Sequence, residues 1–294
     1  MSQGTIMFAF NNEQMSYISF AMGASLMVKH HMPRSSTAVI TDKGSYNYLK
    51  TLYSNSLIDN AFDHVIFSED APKIMSVNMK RTAKIAGKTV NLTNKNQNTS
   101  TVYWLSPFDE TLMLDADYLV QSDILDQVWG SINELRINDT ISKLDGTLVD
   151  LEDVRLYPQG IKQLWTTAIY FRRTPDNDTF FNLLDHISAN YVFYKRRYQF
   201  ARDAYRNDFV FSIANHIMSG FIESSSYVVP LPDRVMITAY QNTKLYQATD
   251  QTMKFLSYHR TGESSVQQTI RTNVHVLDKY SIQNTLKDIV DVYG

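Results

Sequence analysis

Asp115 and Asp117, two positions apart, are the residues best suited to chemistry in this chain. They follow Thr111-Leu112-Met113-Leu114, an apolar run with the character of a buried strand. In open α/β sheets, ligands gather at the carboxyl ends of the strands. Two carboxylates placed there repel each other, and their burial is costly unless a cation neutralises them. Oxygen ligands of this kind suit Mn²⁺ or Mg²⁺. A metal held by few protein ligands keeps positions open for a diphosphate and stabilises the charge that develops as a nucleotide diphosphate leaves. An Asp-x-Asp is also what a strand ending in two solvated acids looks like. The apolar run and its place in the chain favour the metal-binding reading.

Such a pair needs a sheet to hold it. Thr5 to Phe10 is a short apolar run broken by Asn11 and Asn12, and Thr37 to Ile40 and His64 to Phe67 read as further strands. Between them, Tyr17 to Val28 and Tyr46 to Leu57 carry apolar residues on a helical period, the first ending before Pro33. Strand, helix, strand, helix, strand predicts a mostly parallel sheet with helices on its faces. Later, Asp145 to Gly160 has loop character, Trp165 to Phe171 reads as a strand, and Phe180 to Phe200 and Asp208 to Met218 read as helices. Val274 to Val276 and Leu277 to Val292 read as a closing strand and helix. No internal repeat or linker interrupts the chain, which predicts one domain over residues 1–294 with an elaborated second half.

The segment Ser106-Pro107-Phe108-Asp109-Glu110-Thr111-Leu112-Met113-Leu114-Asp115-Ala116-Asp117 closely resembles the metal-binding motif of GT-A glycosyltransferases, most of all the glycogenin-like group (glycosyltransferase family 8) and related phage and bacterial sequences. The resemblance implies a Rossmann-like sheet, a nucleotide-sugar donor (often UDP-linked) bound by residues 1–120, an acceptor half over 121–294, and Mn²⁺. It implies that Asp115 touches the ribose or the metal and that Asp117 is the firmer metal ligand. Ala9, Phe10 and Asn11 would line the base site, with Asp42 near the nucleobase. His275 would be the third metal ligand and Lys279 would hold the diphosphate, although the spacing of Val274-His275-Val276-Leu277-Asp278-Lys279 and a missing glycine depart from the glycogenin pattern. Arg81 and Lys84 would touch the donor phosphates. Asp208, with Asn207 beside it, falls where these enzymes place a polar or acidic residue next to the reacting sugar. Both stereochemistries occur on this fold, and the resemblance to glycogenin-like enzymes leans towards retention of the anomeric configuration.

Each of these residues also has a plainer explanation. A lone histidine on a strand is commonly structural. Asp42 can simply open a turn. Asn207 or Asp208 can cap the helix that follows. Arg81 and Lys84 can be solvated residues of a helix. Two basic stretches bear on the acceptor. One is the window Ala71 to Phe108, which holds no acidic residue; the other is Tyr191 to Phe200 with Lys195, Arg196 and Arg197 among aromatics. Aromatic rings beside cations suit a stacked or flipped base and its phosphates. The Asn- and Tyr-rich, cysteine-free chain resembles phage-encoded members of the group, and some phage glycosyltransferases add sugar to hydroxymethylated cytosine in DNA, so duplex DNA is the leading acceptor. A glycan, lipid or protein acceptor, and a nucleotide- or metal-binding protein without transferase activity, are the alternatives. An amphipathic helix with inward aromatics and outward arginines would explain the second stretch equally.

Composition removes other chemistries. With no cysteine there is no disulfide, thiolate metal site or cysteine nucleophile. The net charge of -2 carries no global sign of nucleic-acid or membrane binding. No stretch reaches the roughly 18 apolar residues of a membrane span, and no basic residue precedes the apolar start, so a cytoplasmic protein is expected. The four glycosylation sequons, at Asn91, Asn98, Asn138 and Asn177, read as chance. A Gly-rich phosphate loop, which a dinucleotide-binding or nucleotidyltransferase site would need, is absent from the chain. There is no nucleophile elbow, and His30-His31, being adjacent, point apart on a helix.

Overall fold

The computed structural model describes residues 1–70, 80–85, 88–93, 99–132, 134–149, 155–156, 160–199, 205–222, 226–258 and 262–294. In chain order the first half contains β1 (Gln3–Phe8), α1 (Tyr17–His31), β2 (Ser36–Thr41), α2 (Lys43–Leu52), α3 (Asn55–Ala61), β3 (His64–Phe67), the hairpin β4 (Lys80–Ile85) and β5 (Lys88–Thr93), α4 (Val102–Leu105), β6 (Glu110–Asp115) and β7 (Tyr118–Leu119). The second half contains β8 (Leu135–Asn138), β9 (Ser142–Lys143), β10 (Arg155–Leu156), β11 (Ile161–Lys162), β12 (Trp165–Arg172), α5 (Pro175–Ala189), α6 (Tyr191–Arg197) and α7 (Asn207–Met218). It closes with β13 (Ile237–Ala239), β14 (Thr243–Ala248), β15 (Thr252–Tyr258), β16 (Ser264–Ile270), β17 (Val274–Val276) and α8 (Lys279–Tyr293).

The central sheet runs in the order β3-β2-β1-β6-β12-β8. Strands β3, β2, β1 and β6 are parallel, and β12 is antiparallel to both its neighbours. This is the α/β architecture expected from the alternating pattern. Helices cover both faces, so the inner strands carry unbroken apolar runs: Leu112, Met113 and Leu114 are at most 2% exposed. Helix α1 is buried continuously from Ile18 to Val28, because it is covered on one side by the sheet and on the other by α8. Gly23 permits that approach. A Cβ there would lie 2.8 Å from Leu286 Cδ1 of α8.

A second, four-stranded sheet has the order β7-β17-β13-β9, and β14-β15-β16 form an antiparallel sheet of their own. Neither β13 nor the β14–β16 sheet was expected. Other boundaries also moved. The helix expected over Tyr46 to Leu57 is two, because Tyr53 turns extended and Ser54 caps α3 by accepting from Leu57 N–H at 3.3 Å. The helix expected over Phe180 to Phe200 breaks at Asn190 into α5 and α6. Phe10 lies beyond the end of β1. Arg81 and Lys84 belong to strand β4 rather than a helix, and their side chains lie outside the described ones, as do residues 94–98 of the acid-free window. Of the sequon asparagines, Asn138 and Asn177 are buried and bonded to backbone, which is structural use.

Candidate active site

Strand β6 delivers Asp115 to the carboxyl end of the parallel sheet, level with Phe8 of β1. On its other side Ala168 of β12 pairs with Leu114, which sets Thr167 beside Asp115, where its side chain hydrogen-bonds the carboxylate. Two residues on, Asp117 is 6% exposed, and Tyr118 starts β7 in the second sheet. There His275 of β17 pairs with Tyr118, and Val276 N–H donates to Asp117 O at 3.0 Å. That antiparallel pairing carries His275 across a long sequence separation to the acidic pair. Its Nε2 is 3.5 Å from Asp117 Oδ1.

Helix α8 starts three residues after β17. Asp278 caps it by accepting from Tyr280 N–H at 3.2 Å. Lys279, in the first turn, contacts the Asp117 carboxylate with its ammonium and donates to Val276 O at 3.3 Å. Among the described residues, Asp115, Asp117 and His275 form the single cluster suited to hold a metal, with their ligand atoms all within 4.8 Å of one another. Two carboxylates and an imidazole are a donor set that Mn²⁺ or Mg²⁺ accepts. The expected trio is therefore brought together, and Lys279 with it.

The electrostatics are those of a buried charged cluster. Burial raises the Asp115 carboxyl above its usual range, against the pull of His275 and Lys279, and Asp208 adds to the rise. Burial lowers His275, which keeps the imidazole neutral and able to bind a metal, although Asp115 and Asp208 oppose the shift. Burial pushes the Lys279 ammonium down to about 8, with Asp115 opposing. The Tyr17 phenol, at the start of α1, is raised by burial and by the field of Asp115.

Asp208 does not cap α7. Its Oδ1 accepts from Thr166 N–H at 3.0 Å and from the Thr166 hydroxyl at 2.8 Å, and Arg206 Nη2 meets Oδ2 at 2.5 Å. The Arg206 guanidinium in turn lies over the rings of Trp165 and Phe209 at 6.0 and 5.6 Å. Asp208 is thus fixed against β12, close enough for its charge to bear on both Asp115 and His275. Asn207 donates to Thr99 Oγ1 at 2.6 Å, which ties the start of α7 to the turn before α4. Tyr17 carried no signal in the sequence beyond opening a helix, whereas Thr166 and Thr167 lie in the strand expected over Trp165 to Phe171 and Arg206 stands two residues before Asp208.

Beside the cluster, a pocket of about 460 Å³ opens at the ends of β1 and β2, lined by Asn11, Asp42, Ser45, Tyr48 and Gln283 among others. Gln283 lies one turn beyond Lys279 on α8, so one helix serves both the pocket and the acidic cluster. Asn11 is held by Ser45 Oγ, which accepts its N–H at 2.8 Å, while its own Oδ1 accepts from Ile18 N–H at 3.1 Å. Asp42 lines the pocket and also caps α2 through Ser45 N–H at 2.6 Å. Ala9 and Phe10 are not in the pocket wall. Ala9 is fully buried, with its N–H on Ile40 O and its carbonyl on the Thr41 hydroxyl.

Lys195, Arg196 and Arg197 form the last turn of α6, with Arg196 and Arg197 exposed and Lys195 half-buried. Tyr191 and Tyr198 are buried, as an amphipathic helix requires, but Val192 and Phe193 face solvent, 57% and 63% exposed. No described helix is long and apolar enough to cross a membrane.

No protein-family model matches the chain, and no curated protein matches its sequence. Solved structures do. A bifunctional glycosyltransferase, WbbM, superposes with a TM-score of 0.47 at 14% identity, over 82% of this chain and 40% of that one. The galactosyltransferase LgtC, solved with donor and acceptor sugar analogues, superposes with a TM-score of 0.44 at 13% identity, over 72% of this chain and 70% of its own. A mannosyltransferase from Pyrobaculum calidifontis, solved with GDP-Man and Mn²⁺, has a TM-score of 0.39 at 11% identity, over 80% and 56% of the two chains. This chain thus spans well under half the length of WbbM.

Proposed function

We propose that this chain is a metal-dependent glycosyltransferase that moves a sugar from a nucleotide-sugar donor to an acceptor hydroxyl. The observation that carries the reading is the convergence of Asp115, Asp117 and His275 at the carboxyl end of a parallel strand, with the Lys279 ammonium against the Asp117 carboxylate. A bound Mn²⁺ or Mg²⁺ would supply positive charge to the departing diphosphate. Asp115, Asp117 and His275 would hold it, and Lys279 would lend its own charge to the diphosphate oxygens. Asn11 and Asp42 line a pocket suited to the nucleoside. Asp208, pinned by Thr166 and Arg206, would orient the acceptor hydroxyl, or take its proton if the configuration inverts.

For the acceptor, the exposed Arg196 and Arg197 beside the exposed Phe193 support hydroxymethylated cytosine in duplex DNA, since phosphate contacts and a stacking face are what that substrate needs. A glycan, lipid or protein hydroxyl is the alternative. A thermal-shift screen of UDP-, GDP- and CMP-linked donors, with and without Mn²⁺, tests the donor site in wild type and Asp117→Ala. Stabilisation by one nucleotide that needs both Mn²⁺ and Asp117 is expected. No metal-dependent shift with any donor would remove the proposal. Salt-sensitive duplex binding that is lost when Lys195, Arg196 and Arg197 are neutralised is expected of the DNA acceptor, and its absence at low salt would leave the alternative.

A further inference from the structure

A second cavity, of about 500 Å³, lies between the β14–β15 hairpin and α8. It shares none of its lining with the acidic cluster or with the pocket beside β1. Its volume is that of an ordinary small-ligand site. Three tyrosines border it, Tyr246, Tyr258 and Tyr280, and they are 45%, 44% and 60% exposed. Asp278, Asn284 and Asp288 add open polar groups along one face of α8.

The local structure aims these groups rather than merely leaving them on the surface. In the β14–β15 ladder Leu245 pairs with Phe255 and Gln247 with Lys254, so Tyr246 is the extra residue of a β-bulge. A bulge re-aims a side chain at the expense of ladder pairing. The floor is closed: Ser281 and Thr285 are buried, and their hydroxyls donate to the Asp278 and Ser281 carbonyls of their own helix at 2.7 and 2.5 Å. Lys244 rests its ammonium over the Tyr258 ring at 5.2 Å.

We propose that this cavity is an accessory carbohydrate site that takes a neutral saccharide. The exposed rings of Tyr246 and Tyr280, with the part of the Tyr258 ring that Lys244 leaves open, offer flat apolar area to the C–H faces of sugar rings. Asp278, Asp288 and Asn284 offer acceptors to their hydroxyls. With two acids against one lysine, the lining disfavours phosphate and nucleic acid, and Lys244 on the Tyr258 face disfavours a second cation there. Asp278 and Tyr280 flank Lys279 in sequence, so a saccharide held here lies at the N-terminus of α8, next to the residue that meets Asp117. This site goes beyond the transferase reading and stands without it.

The test uses the full chain in EDTA with no nucleotide. Maltoheptaose, cellohexaose, laminarihexaose and mannohexaose are titrated by calorimetry and by saturation-transfer NMR. At least one is expected to bind, about tenfold or more weaker in Tyr258→Ala/Tyr280→Ala, as for loss of an aromatic anchor. Both side chains are substantially exposed, so an unchanged melting midpoint confirms that the variant folds. Asp117→Ala is expected to bind the same saccharide as wild type does, which separates this site from the donor site. The proposal is overturned if none of the four binds, if the tyrosine variant binds equally, or if Asp117→Ala loses binding. It is also overturned if spermidine or a 20-base-pair duplex binds in a tyrosine-dependent way and the saccharides do not.

Discussion

Replacing Lys279 by Met tests whether the ammonium is the counter-ion of the acidic pair. The Lys279 and Asp117 side chains are 23% and 8% exposed. Removing one member of a buried ion pair strands the other and costs about 3–5 kcal/mol, and the partial exposure of the lysine places this case near the lower figure, at about 3 kcal/mol. At about 2.1 cal/mol/K per residue, a chain of 294 residues has an unfolding entropy of about 620 cal/mol/K. The midpoint should therefore fall by about 5 °C, read by scanning calorimetry in EDTA. With its lysine gone, the carboxylate pair binds protons more readily in the folded state than in the unfolded state, so the variant loses stability as pH rises and the gap widens from pH 6 to pH 8. A divalent cation neutralises the same oxygens. Mn²⁺ at 100 times its Kd stabilises by about 2.7 kcal/mol, or about 4 °C here. It should bind the variant more tightly than wild type, where it must displace Lys279, so the gap closes at saturation. Equal midpoints in EDTA, or a gap that Mn²⁺ leaves unchanged, would refute the shared-carboxylate argument.

Three further outcomes follow from the same geometry. A Cβ on Gly4 would lie 2.3 to 2.6 Å from three atoms of the Phe108 ring, so Gly4→Ala should lower stability by about 1–3 kcal/mol of overpacking, read as a drop of about 2–5 °C in midpoint. Burial pushes the Lys279 ammonium down to about 8. Donor turnover should then fall above pH 8, about tenfold per unit, and Lys279→Arg should abolish that alkaline limb, because arginine stays protonated there; a limb that does not move would assign it to another group. Asp42→Ala should cost about 1 kcal/mol from the lost cap on Ser45 N–H, while Asp42→Asn should keep the cap. If Asp42 also contacts the nucleobase, nucleotide affinity falls in both variants, and an effect confined to the alanine variant would leave only the cap.

The acidic pair was legible because its setting is local. Four residues of buried strand running into Asp115, three of them apolar, can be read without knowing what lies beside them. His275 and Lys279 were reached only through the resemblance, since the pairing of Tyr118 with His275 is a non-local fact that no spacing encodes. The same holds for Asp208, whose partner Thr166 sits on another element, so a capping residue and a pinned carboxylate look alike in sequence. The strands of residues 237–270 went unread for a different reason. Thr252 to Tyr258 does alternate, with Met253, Phe255 and Ser257 buried, but one inward position is a serine, and β16 is mostly Ser, Gln and Thr, so the apolar period is faint. The breaks at Ser54 and Asn190 were readable as cap and turn residues, but the apolar period carried on through them.

The most direct test of the account is nucleotide-sugar turnover at the acidic cluster. Wild type and Asp117→Asn are incubated with UDP-glucose, UDP-galactose and GDP-mannose, with Mn²⁺ or with EDTA, and released nucleoside diphosphate is measured. Release from at least one donor by wild type with Mn²⁺, absent in EDTA and at least about a hundredfold slower in Asp117→Asn, is predicted. Release that is indifferent to Mn²⁺ or to Asp117, or none from any donor, would contradict it.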